Sequence, residues 1–117
     1  SNVINMKGMF YCAESFNQQL DWNVSNVTDM SYMFYEAESF NQQLNWDVSN
    51  IIEMNYTFSY AKSFNQPLNW DVSKVKNMKC MFYCAKNFNQ KLTWKINKST
   101  NIQGIFDKTK VQQMIKC

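Results

Sequence analysis

Two carboxylates set one repeat apart, a row of tyrosines and four thiols are the groups in this chain with reactivity to offer. Asp47 and Asp71 are 24 residues apart. Paired carboxylates hydrolyse a bond only when an apolar site lifts the pKa of one of them, and the polar residues around both give no such site. Cys12, Cys80, Cys84 and Cys117 form no CxxC pair, and the chain has no His to complete a zinc set. All twelve basic residues are Lys. The commonest general base and metal ligand is therefore missing, as is the bidentate guanidinium fork that grips phosphate. The expectation is a non-enzyme with no catalytic residues, no metal and no cofactor. Nucleic acid is not an expected partner, because Arg is absent and Lys is seldom interleaved with aromatics.

Binding is the remaining chemistry, and it depends on a repeat. Phe-Asn-Gln begins at Phe16, Phe40, Phe64 and Phe88, and a Trp follows each at 22, 46, 70 and 94, a constant step of 24. Such a period marks stacked structural units. The units are coils 1–24, 25–48, 49–72 and 73–96, with a degenerate terminal coil or cap at 97–117 in which Val111, Met114 and Ile115 cover the end. Ser1-Asn2-Val3 already stands in the phase of Ser25-Asn26-Val27, so the chain is expected to be a segment of a longer one.

Two elements must position the side chains. In coil two, Val27, Met30, Met33, Phe34 and Ala37 form one stripe at helical spacing, which predicts a helix over 27–37 with Asn26 as its cap. Leu44, Trp46 and Val48 alternate with Gln43, Asn45 and Asp47, which predicts a strand with one buried face. The fold class expected is α/β: a leucine-rich-repeat-like solenoid of 24-residue helix-turn-strand coils with a parallel sheet. The tryptophans share the Leu and Val face and read as core. Asn17, Asn41, Asn65 and Asn89 read as an amide ladder bridging adjacent coils. With only two glycines, the turns must close through Asn and Ser side chains.

That frame leaves two candidate surfaces. One is the polar strand face centred on Asn45, Asp47, Asn69 and Asp71. The runner-up is a row of tyrosines opposite the apolar stripe, Tyr32, Tyr35 and Tyr56 with Tyr11 and Tyr83. The net charge of +3 is unevenly spread: by coil it runs −1, −4, −1, +6 and +3. A partner would meet an acidic end and a basic end. Cys12 and Cys84 share one slot three coils apart, roughly 15 Å by strand spacing, and are too distant to pair within the chain. Free thiols or an intermolecular link are the readings, and self-association through these thiols or through end-to-end stacking follows. No membrane-length apolar run occurs, so this segment is not expected to insert directly.

The run Trp46-Asp47-Val48-Ser49-Asn50-Ile51-Ile52-Glu53-Met54, then Phe64-Asn65-Gln66-Pro67-Leu68, resembles the signature of the BspA-like surface proteins, specifically their Mycoplasma-type lipoprotein repeat family of unknown function. The likeness covers residues 1–96, while coil five departs from it. The resemblance implies a leucine-rich-repeat-like fold, a cell-surface or secreted location, and adhesion or host interaction through a protein or glycan ligand. An intracellular or virion-associated location stands as the alternative. The competing function is a spacer or assembly element that forms a rod without a specific ligand.

Overall fold

A computed structural model of the chain describes residues 5–109. No described residue is helical, and strand pairing is confined to isolated parallel bridges: Asn5 to Asp29, Asp29 to Glu53, Glu53 to Asn77, and Asn77 to Asn101. The 24-residue coils lie one against the next with one bridge at each junction. The α/β expectation of a leucine-rich-repeat-like solenoid of helix-turn-strand coils with a parallel sheet is therefore corrected, since both of its elements are missing from the described residues.

The segment read as a helix is a run of tight turns. Met33 N–H donates to the Met30 carbonyl at 3.2 Å, Tyr35 to Tyr32 at 3.2 Å and Ala37 to Phe34 at 3.0 Å. These bonds reach back three residues, where a helix reaches back four. The intervening N–H groups leave the coil: Met30, Tyr32, Phe34 and Glu36 donate to the carbonyls of Glu53, Asn55, Thr57 and Ser59 at 2.9–3.0 Å. A helix keeps those donors for itself. The same alternation recurs from Met6 on Asp29 at 2.9 Å to Cys84 on Asp107 at 3.0 Å.

Of these three turns, Met30–Met33 and Phe34–Ala37 carry a positive φ at their third residue. Tyr32 (60°) and Glu36 (56°) supply it in coil two, Tyr56 (58°) and Tyr60 (59°) in coil three, Cys80 (52°) and Cys84 (57°) in coil four. Gly8 (66°) and Gly104 (67°) stand in the slot of Tyr32. A side chain in this conformation costs roughly 1–2 kcal/mol, so the bonds to the next coil must hold it there. The buried Met30, Met33, Phe34 and Ala37 are the first and last residues of two consecutive four-residue turns. Their spacing of three, one and three is the spacing of a helical stripe, and periodicity alone does not separate the two.

The alternation over 41–48 faces as expected. Leu44, Trp46 and Val48 are buried, while Gln43, Asn45 and Asp47 are exposed. Yet no backbone–backbone bond joins these extended segments to one another among the described residues. Ring spacing shows why. Phe34 and Phe58 stack at 5.4 Å on the turn side, Phe40 and Phe64 at 6.0 Å, and Trp70 and Trp94 at 6.4 Å on the extended side. Paired strands need about 4.8 Å, and the indoles hold these segments further apart.

Side chains span the gap. Trp46 Nε1–H donates to the Leu20 carbonyl at 2.9 Å, Trp70 to Leu44 at 3.0 Å and Trp94 to Leu68 at 2.9 Å. The Asn ladder is present: the Oδ1 of Asn17, Asn41 and Asn65 accepts the N–H of Asn41, Asn65 and Asn89 at 2.9–3.0 Å. Turn closure also uses side chains, with Asn23, Asp47 and Asp71 accepting from the Ser25, Ser49 and Ser73 amides at 3.0 Å.

The core is a set of ring columns. Phe34, Phe40, Phe58, Phe64, Phe82 and Phe88 are fully buried, and Trp46, Trp70 and Trp94 nearly so. Trp22 departs from the core reading: it is 42% exposed, having no described coil on its outer side. The register continues into the fifth coil, where Phe106 stacks on Phe82 at 5.5 Å. The expected cap residues Val111, Met114 and Ile115 lie outside the described residues.

Two outcomes test this account by denaturant unfolding. Trp46→Phe, which loses the indole bond and part of the buried ring, should cost about 1–3 kcal/mol, and Trp46→Ala about 3–5 kcal/mol; a silent Trp46→Ala would show that the indole is not core. An added Cβ at Gly104 would sit 3.0 Å from Cys80 Sγ at a φ of +67°. Gly104→Ala should therefore lose about 1–2 kcal/mol, while Lys108→Gly, which relieves a φ of 62° on an exposed residue, should gain up to about 1 kcal/mol.

Candidate functional site

Asn45, Asp47, Asn69 and Asp71 all lie exposed on the extended segments. Asp47 Oδ1 accepts the Ser49 hydroxyl at 2.6 Å and the Ser49 amide at 3.0 Å. The hydroxyl first and the amide second hold the Asp47 carboxyl below the usual aspartate range. Ser73 does the same for Asp71, with Lys74 assisting and the Asp47 charge opposing. Carboxyls of this kind are ionised at neutral pH and make poor general acids. Beside them, an open groove of about 460 Å³ lies between coils three and four, lined by Asn69, Asp71, Ser73, Thr93 and Lys95 against Trp70 and Trp94.

The second surface is built by the turns. All six tyrosines of the chain join one continuous network of ring contacts. Tyr11 stacks on Tyr35 at 5.1 Å, and Tyr32 on Tyr56 at 4.9 Å. Tyr32 also meets Tyr35 at 5.5 Å, and Tyr60 sits edge-on between Tyr35 and Tyr83 at 5.6 Å from each. Tyr11 is exposed and the other five are half-buried. Burial is the first cause that raises the Tyr35, Tyr56 and Tyr60 phenols above their ordinary pKa, with Glu36, Cys80 and Cys84 adding to it in turn. The phenols therefore stay neutral and able to donate hydrogen bonds at physiological pH.

Five of these tyrosines were legible as a row; Tyr60 was not. It occupies the slot of Cys12, Glu36 and Cys84, one of the two slots with positive φ, which an angle drawn on a helical wheel misplaces. The thiols belong to this face too. Cys12, Cys80 and Cys84 are free, and Cys12 Sγ donates to Glu36 Oε1 at 3.1 Å. That bond, then burial and the Glu36 and Glu14 charges, pushes the Cys12 thiol up. It is a reluctant thiolate and a slow nucleophile. No group of three or more metal-ligating side chains occurs among the described residues, and no helix there is long and apolar enough to cross a membrane.

The depressed Asp47 carboxyl has a signed consequence. Its stabilising bonds are present above the unfolded aspartate pKa of about 3.9 and are lost as pH falls through the lower folded value. A carboxyl-detected NMR titration should place Asp47 below an ordinary aspartate, and Ser49→Ala should move it back up. An unmoved value in Ser49→Ala would remove Ser49 as the cause.

No curated protein and no solved structure matches the chain. The family comparison agrees with the Mycoplasma-type part of the repeat resemblance, matching across residues 4–116. With its five-coil register and repeated Phe-Asn-Gln and Trp signature, the chain belongs to the family described as Mycoplasma protein of unknown function, DUF285.

Proposed function

We propose that this chain is a non-catalytic recognition module whose extended face engages another macromolecule, a protein in preference to a glycan. The observation that carries the reading is the exposed grid of Asn45, Asp47, Asn69 and Asp71, set at fixed spacing beside the groove that ends at Lys95. Groups already held in place lose little entropy on binding. Asp47 and Asp71 are tied to their serines, and the backbones beneath them are anchored by the indole bonds. Sugars are gripped by open aromatic faces. Here Trp70 and Trp94 are buried, and four of the tyrosines cover each other pairwise. Hydrogen bonding to a peptide suits what remains.

The absence of His and Arg from the sequence favours binding over catalysis and gives no support to nucleic acid. The BspA-like resemblance of the repeat signature supports adhesion or host interaction at a cell surface as the setting. The competing reading is a spacer whose coils extend without a ligand.

Capture on protein and glycan arrays, followed by calorimetry, tests this. Wild type should retain a defined protein, and Asp47→Asn with Asp71→Asn, which keeps the turn closure that Asn23 makes for Ser25 but removes the two charges, should weaken it by about tenfold while leaving Tm nearly unchanged. Retention by that variant, with loss on substituting Tyr32, Tyr35 and Tyr56, would move recognition to the tyrosine face. No retained molecule, with open-ended growth in mass, would favour the spacer.

A further inference from the structure

The tyrosine face carries a charge pattern that complements itself. In the slot two residues past Cys12 and its equivalents, successive coils present Glu14, Glu38, Lys62 and Lys86. Glu14 is close enough to Cys12 to raise its thiol pKa, and Lys62 Nζ lies 3.7 Å from Glu38 Oε2. The column therefore runs two negative, two positive along the edge of the face. Its sign reverses about the midpoint between coils two and three.

A two-fold axis lying across the stack at that midpoint turns the column onto its own complement. Glu14 then faces Lys86 of a second copy, and Glu38 faces Lys62. The same rotation sets Tyr32 opposite Tyr56, Tyr11 opposite Tyr83 and Cys12 opposite Cys84, because all of these occupy slots a whole number of 24-residue steps apart. A parallel arrangement offers no such match. Two-fold interfaces must be self-complementary in this sense, and Tyr is among the side chains enriched at protein interfaces.

We propose that the tyrosine face is the interface of an antiparallel dimer of this chain, closed by two-fold symmetry. The occupant is a second copy rather than a small ligand. The largest ring faces in the patch are already stacked on one another, so the surface offers edges, hydroxyls and a charge pattern rather than a slot. One flank opposes the arrangement. Lys7 and Lys79 share a slot and would face each other at the two ends, so the interface carries a built-in repulsion. The proposal is independent of the extended-face reading, since it uses the opposite arc of the coil.

Sedimentation velocity from about 1 to 500 µM should show a reversible monomer–dimer equilibrium that weakens with salt. Glu14→Lys and Lys86→Glu should each raise the dimer Kd by tenfold or more, as two like-charge contacts replace two attractive ones, and the double variant should return it to within about threefold of wild type. Lys7→Glu should tighten the dimer. Carbodiimide coupling should join Glu14 of one chain to Lys86 of the other, a bond that three coils of separation forbid within one chain. Thermal unfolding of dilute samples confirms that each variant folds. A chain monomeric throughout the range, open-ended growth, or a dimer indifferent to both single reversals and lacking the Glu14–Lys86 cross-link would overturn the proposal.

Discussion

Every coil depends on how its alternate backbone donors are shared. In each turn arc one N–H closes a turn and the next is handed to the neighbouring coil. That division fixes the spacing of coils on the turn side at a bonded distance. It also demands two positive-φ residues per coil, and eight non-glycine residues accept that conformation. The turns are stable only in company, because an isolated arc would keep the backbone strain and lose the bonds that offset it. The core follows from this spacing. Phe10, Phe34, Phe58, Phe82 and Phe106 stack at 5.4–5.5 Å because the backbone beneath them has set the interval.

The extended side obeys a different rule. Its indoles stack at 6.4 Å, beyond the reach of ladder bonds, and the indole N–H groups of Trp46, Trp70 and Trp94 each take a carbonyl of the preceding coil instead. The Asn and Gln side chains add further bridges, such as Gln42 Nε2–H on Asn17 Oδ1 at 3.0 Å. Side chains thus carry bonding that a sheet would give to backbone. The Phe-Asn-Gln and Trp residues recur without slippage for this reason: each is a structural link between coils. No buried side-chain polar atom among the described residues lacks a partner, as so regular a scheme requires.

What the sequence disclosed and what it concealed follow from the same physics. The period, the inward face of Leu44, Trp46 and Val48, the Asn ladder and the side-chain turn closures depend on spacing and residue type, and they were legible. The helix was not refutable by spacing, because consecutive four-residue turns bury the same positions as a helical stripe. One clue did exist. Gly8 and Gly104 fall four whole repeats apart, in a single slot in the middle of the supposed helix. Glycine there points to a positive φ rather than to helix. Tyr32, Tyr56 and Cys80 hide the clue in the central coils by adopting that conformation with a side chain. The sheet was misjudged because alternation reports burial, while pairing depends on a spacing that the tryptophans set.

This division also shapes what the two surfaces can do. On the turn side, positive φ throws Tyr32, Tyr56 and Tyr60 outward, and the short interval between coils presses the rings into mutual contact. Aromatic area gathers there as a continuous patch with its largest faces spent on itself. On the extended side, the wider interval leaves room between coils three and four for an open groove, and the outward residues that line it are polar. A partner meeting that face finds hydrogen-bonding groups whose positions are tied to the core through Trp70 and Trp94. The two arcs therefore differ in kind. One is suited to burying a broad, flat surface and the other to reading a polar chain, and both properties descend from how each arc spaces its coils.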